Sequence, residues 1–216
     1  ANGPDVTGTA GYTQVGNWNN ATGVSGTLAN LNNDSGNNSG ASVTWETHNL
    51  WDYVSGDGNG GDEDMMSGYL DNIGASDTPP EEITISDIPY DAYSVYVYIN
   101  RDAARFAGIT VSDGSTNKTL YIEHDGTGYD PSEGVNGYTI SRDDDVAAHA
   151  GLWNNGNVIL SPVMTGSTLT IDNAPIPGVP AGGTYQCIIN GIQIRGREFT
   201  HEIQNGSFEA ESYTVS

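Results

Sequence analysis

Basic side chains are almost missing from this chain. Six Lys and Arg, of which Lys118 is the one Lys, stand against 28 Asp and Glu among 216 residues, for a net charge of −22. A surface of that sign repels phosphate backbones and anionic headgroups, which argues against nucleic acid or an anionic membrane as a partner. A polyanion can be held only through bound cations or one local group of arginines. The acidity itself needs no partner, because acidic, Lys-poor chains stay soluble in salt water, where self-repulsion is screened over about 8 Å or less. Cysteine is nearly absent too. Cys187 is the one Cys and forms no intrachain disulfide. It sits in the apolar run "YQCIINGIQI", where a small buried hydrophobe is expected, and no basic group stands near it in sequence to make it a nucleophile. No apolar stretch reaches membrane length or resembles a signal segment, so no membrane insertion is expected. The chain starts at Ala1 without Met, which fits a mature secreted protein or an excised segment. Long helical periodicity is also lacking.

What is present is Gly, Asn, Ser, Thr and Asp, the composition of an exported, loop-rich β protein. An extracellular or cell-surface location is the expectation. Sequons at Asn20, Asn33, Asn37 and Asn117 mark surface loops if the host glycosylates. β-type runs recur between turn clusters at residues 12–18, 42–48, 82–88, 93–99, 107–113, 118–124, 137–141, 157–162, 167–172 and 185–195. This spacing predicts an all-β, antiparallel sandwich. In "YSVYVYI" one face carries Tyr93, Val95, Val97 and Ile99 and the other Ser94, Tyr96 and Tyr98, so both faces are expected to be covered, as in a central strand. "STLTIDN" sets Leu169 and Ile171 against Thr168, Thr170 and Asp172, the half-buried pattern.

Two short helices are expected. In "DEDMMSGYLDN", Met65 with Tyr69 and Met66 with Leu70 stand at i, i+4, and the leading acids favour the helix dipole. In "DDDVAAHAGLW", Asp143 to Asp145 precede one turn through Ala148. "NAPIPGVPAGGTY" holds three Pro and reads as a rigid loop. The pattern turns polar after Arg195, so residues 1–195 read as the domain and 196–216 as a tail or the first strand of a following one.

The loop "DGNGGDED" offers Asp57, Asn59, Asp62 and Asp64 in a Gly-rich frame. Calcium takes six to eight such oxygens, so these four are the candidate metal ligands. It is not an EF-hand, because Gly68 stands at the twelfth position, where a bidentate Glu is required. The competing reading is a solvated loop whose acids start a helix.

Trp18, a Gly/Asn-rich stretch, Trp45 and Trp51, then "MMSGYLDN", "ITISDIPYDAYSVYVYIN", "NVILSPVMTGSTLTI" and "CIINGIQI" follow in an order that resembles a domain of large secreted modular bacterial proteins. That domain is similar to a galactose-binding-type jelly roll, the architecture of many carbohydrate-binding modules, and the resemblance covers most of residues 10–195. The tail's "NGSFEAES" is similar to the opening strand of another group of carbohydrate-binding jelly rolls. The resemblance implies a jelly roll, a structural calcium, and sugar recognition by aromatic faces beside amide, carboxylate and Arg groups. Trp153, Trp51, Trp18, Tyr129 and Tyr138 are the aromatics nearest to loops, and Arg101 follows a central strand at a loop mouth. Trp45 alternates into a strand and reads as core.

Acid pairs are too abundant for any one of them to indicate a glycosidase, and His124 and His149 have no nucleophile elbow, HExxH or P-loop with them. The expectation is a non-catalytic, calcium-stabilised module for a polysaccharide or other glycan. The second reading is a structural subunit of an extracellular polymer that joins copies of itself by strand exchange through the tail. Polysaccharide degradation comes third.

Overall fold

The computed structural model describes residues 3–52, 60–72, 82–99, 104–125, 129–132, 134–141, 156–174 and 186–197, and within these it leaves the side chains of 104–106, 123–125 and 141 undescribed. Six strands form one sheet: β1 (Ser25–Leu28), β2 (Ser42–Glu46), β5 (Glu82–Ser86), β11 (Leu169–Asn173), β7 (Ala104–Ser112) and β8 (Asn117–Asp125), in that order. The second layer holds two smaller sheets. One runs β13 (Gly191–Gly196), β6 (Tyr93–Tyr98), β10 (Val158–Leu160), β9 (Ile140–Ser141), and the other β12 (Cys187–Ile189), β4 (Gly68–Asn72), β3 (Asn49–Asp52). All pairings are antiparallel except β9 with β10. Helix α1 (Asp62–Ser67) leads directly into β4. The fold is an all-β antiparallel sandwich with one short helix among the described residues.

Strict alternation builds the core. Trp45, Ile83, Ile85, Leu169 and Ile171 point inward from the six-stranded sheet and join Val95, Val97, Ile99, Leu70 and Ile188 of the second layer in one buried cluster. Each such side chain contributes about 1.5–3 kcal/mol when it leaves water. The opposite face of the large sheet is hydroxylic: the register sets Thr44 beside Thr84, and Thr84 beside Thr170. Strand β6 is buried at every position, because its Tyr93, Val95 and Val97 face the core while Tyr96 and Tyr98 enter a second cluster outside the layer, with Val6, Ala10, Met65, Met66, Tyr138 and Val158. An N-terminal segment and a 129–138 turn cover that outer face. Gly26 permits one close approach: a Cβ there would lie 2.5 Å from Cζ2 of Trp45, whose Nε1 donates to Gly23 O at 2.9 Å.

The structure departs from the sequence reading at several elements. The helix ends at Ser67, and Gly68 is already extended, so the expected Met65–Tyr69 and Met66–Leu70 pairs do not lie on a helix face. Residues 68–72 gain pairing on both edges, with β3 and with β12, which a further helical turn would forfeit. Residues 12–18 form no strand; Ala10 and Val15 close a tight turn by one bridge. The single strand expected at 185–195 breaks at Asn190, whose side chain donates to Met66 O at 2.9 Å and Gly68 O at 3.2 Å. Its first half therefore pairs with β4 and its second with β6. Strands β1, β3 and β4 lie outside all expected runs. Pairing continues past 195, since Arg197 N donates to Ala92 O at 2.8 Å. The second expected helix, at 143–148, and the tail beyond Arg197 lie outside the described residues.

Candidate functional site

Of the five aromatic and Arg positions expected to bind ligand, Trp153 and Arg101 lie outside the described residues. The other three fall in two places. Trp18 is half-buried, its Nε1 donates to Val15 O at 3.0 Å, and its ring meets Tyr98 edge-on at 6.3 Å. Tyr129 is also half-buried, its hydroxyl donates to Asn136 O at 2.8 Å, and its ring tilts against Tyr138 at 5.5 Å. Both belong to the packed aromatic cluster over β6, as does Tyr138, which is 1% exposed. Trp51 is different: it is 51% exposed, on edge strand β3 opposite Tyr69. Trp is large and gains much from burial, so an indole held half in water on a paired strand offers a flat, rigid apolar face. Exposed Asp52 follows it, with one oxygen accepting from Ser67 Oγ at 2.6 Å; as the next residue of the strand it projects from the face opposite the indole.

The candidate calcium loop is divided. Asp57 and Asn59 lie outside the described residues. Asp62 lies within them and faces donors: Oδ1 accepts from Gly11 N at 2.6 Å and Tyr138 Oη at 2.7 Å, and Oδ2 from Gln14 Nε2 at 2.8 Å. These bonds take three of the carboxylate's roughly four acceptor sites and tie the N-terminal turn and the 129–138 turn to α1. Asp64 is buried, and its Oδ2 accepts from Gly60 N. No group of three or more His, Cys, Asp or Glu is placed to hold a metal among the described residues.

The tyrosine hydroxyls around Asp62 form a fixed chain. Tyr12 N donates to Tyr98 Oη at 2.8 Å, Tyr98 Oη donates to Gln193 Oε1 at 2.7 Å, and Gln193 Nε2 donates to Thr13 O at 2.9 Å. Burial first, then the Asp62 carboxylate, pushes the Tyr138 phenol far above its ordinary value. Burial likewise raises Tyr98 and Tyr129. These phenols therefore stay protonated, which suits hydrogen-bond donors that hold the cover in place.

A cavity of about 220 Å³ opens between the two layers, under residues 3–6, with walls from Val43, Trp45, Ile85, Leu70 and Ile192 and with Trp18 at its side. Its walls are mostly apolar, with Asn19, Asn20 and Asn190 among the polar groups that line it. The large aromatic most open to solvent among the described residues is Trp51, on the edge of β3. The role of Asp62 was invisible in sequence, because its donors at Gly11 and Tyr138 lie 51 and 76 residues away. No model of a known protein family, no curated protein and no solved structure matches the chain.

Proposed function

We propose that the chain is a non-catalytic glycan-binding module of a secreted or cell-surface protein, of the galactose-binding-like jelly-roll kind. The observation that carries this reading is the half-exposed indole of Trp51 on a paired edge strand. An indole face stacks on the C–H face of a pyranose ring, and polar neighbours take its hydroxyls. A site on a sheet edge is open along its length, which suits a chain of sugars rather than an enclosed small molecule. A structural calcium held by Asp57, Asn59, Asp62 and Asp64 belongs to the reading, with three hydrogen bonds already accepted by Asp62. No helix among the described residues is long and apolar enough to cross a membrane.

The test is a glycan array followed by titration of the best neutral polysaccharide, with wild type and Trp51→Ala. Wild type is expected to bind, and the variant to lose about tenfold or more in affinity with its melting temperature unchanged. Absence of binding to any neutral polysaccharide, with calcium present, would overturn the reading.

A further inference from the structure

Of the six basic residues in the chain, two, Arg195 and Arg197, stand two positions apart at the end of β13. Arg195 is opposite Ser94 in the register, and the backbone bond from Arg197 N to Ala92 O continues the ladder. Residues i and i+2 of a strand share a face and stand about 6.6 Å apart. Both guanidinium groups are held by neutral acceptors: Arg195 Nη1 donates to Thr13 Oγ1 at 3.1 Å and Arg197 Nε to Ser94 Oγ at 3.0 Å. A guanidinium carries five N–H donors, so most of each fork is left over by these bonds. In a chain with 28 acids, neither arginine meets a carboxylate within ion-pair distance among the described residues. Arg197 is exposed and Arg195 half-buried.

The same face carries an aromatic ring. Tyr96 stands opposite Gln193, two positions before Arg195, and Tyr12 stacks on Tyr96 with centroids 5.6 Å apart and planes at 20°. Tyr12 is half-buried, and the residue after it, Thr13, accepts from Arg195. Two cations and a flat ring on one rigid sheet face, in a protein otherwise strongly negative, match a sugar ring that carries an acid group. We propose that this face binds an acidic polysaccharide, with Arg195 and Arg197 taking its carboxylate or sulfate groups and Tyr12 lying against a ring. The site is separate in the fold from Trp51: it lies on β13, and Trp51 on β3. The inference rests on the glycan reading and adds to it a second site, for anionic chains. Self-association through this face is the competing occupant; the net charge of −22 opposes a second copy and an anionic chain alike, so an anionic chain is held by the local arginine pair alone.

The experiment measures binding at 0.15 M salt with chelator present, so that bridging calcium does not contribute. The probes are polygalacturonate against its methyl ester, and a sulfated galactan against its desulfated form, which separates carboxylate from sulfate as the group recognised. At least one acidic polymer is expected to bind about tenfold or more tighter than its neutral counterpart. Arg197→Gln is expected to abolish that preference with melting temperature unchanged, and Arg195→Lys to retain more of it than Arg195→Gln. Equal binding of acidic and neutral forms, or a preference that survives Arg195→Gln with Arg197→Gln, overturns the proposal. Sedimentation that shifts from dimer to monomer on Arg197→Gln, without loss of polysaccharide, overturns it in favour of a second copy. If Trp51→Ala leaves neutral glycan binding intact while the arginine contrast holds, the Trp51 reading falls and the anionic site stands.

Discussion

Asp62 shows how one carboxylate is put to structural use. Three donors from two covering segments converge on it, and hydrogen bonds to a charged group are worth about 1.5–3 kcal/mol each. Tyr138→Phe is therefore expected to lower unfolding free energy by about 1–3 kcal/mol, and Asp62→Ala by more, because three donors lose their acceptor. Denaturant titration checks both. A loss at Asp62→Ala that is the same with calcium and with chelator assigns the residue to these bonds alone; a loss seen only with calcium assigns it to the metal. Asp113 works the same way with backbone donors. Burial pushes its carboxyl up, but the amides of Thr116, Thr165, Ser115 and Gly166 outweigh that and hold it at about 2 against an ordinary 3.8. Since the folded value lies below the unfolded one, its contribution is complete above pH 3.8 and disappears as pH falls through about 2. After allowance for solvent screening at this exposed turn, the contribution is about 1 kcal/mol. Asp113→Asn is expected to flatten the fall in stability between pH 4 and 2, which acid titration by circular dichroism measures. Its acceptor role was not legible in sequence, where Asp113 is one acid among many in a turn.

Among the elements, the large sheet carries an unfavourable row. Glu46, Glu82 and Asp172 stand side by side on β2, β5 and β11. Burial and then Glu82 raise the Asp172 carboxyl above its ordinary value. A raised carboxyl acts with the opposite sign to Asp113: its ionisation lowers stability as pH rises through the folded value. Like charges directly opposite each other in a sheet destabilise by roughly 0.2–1 kcal/mol, so Glu82→Thr is expected to stabilise by about that much at neutral pH. The gain should vanish in acid, where the pair is protonated; a gain that persists there would assign the effect to β propensity. Most strands of this sheet were legible because period-two alternation is a local property of extended backbone. β1 was not, since "SGTL" is short and half polar, and its Gly26 serves the indole of Trp45 rather than any strand signal. The helix α1 was legible at its acidic start but not at its end, because pairing of Gly68–Asn72 with β3 and β12 decides where it stops.

For the whole molecule, a net charge of −22 opposes compaction, and salt screens it. Raising ionic strength from about 0.01 to 0.15 M shortens the screening length from about 30 to 8 Å. The melting temperature is expected to rise over that range with potassium chloride and chelator present, and a flat or falling profile would show that local pairing outweighs self-repulsion. Composition alone determined the sign of the net charge and the absence of an intrachain disulfide. Alternation alone determined the antiparallel sandwich and the core faces of Tyr93 to Ile99 and of Leu169 with Ile171, since side chains in an extended chain take opposite sides without help from distant residues. Only the tertiary structure decided that the run at 187–196 serves two sheets, that Trp18 and Tyr129 pack inward while Trp51 stays exposed, and that Asp62 faces donors. It also decided that Arg195 and Arg197 share a face with Tyr12. Each of these depends on partners dozens of residues away, often on backbone amides and carbonyls that every residue carries, so the side-chain sequence holds no local mark of them.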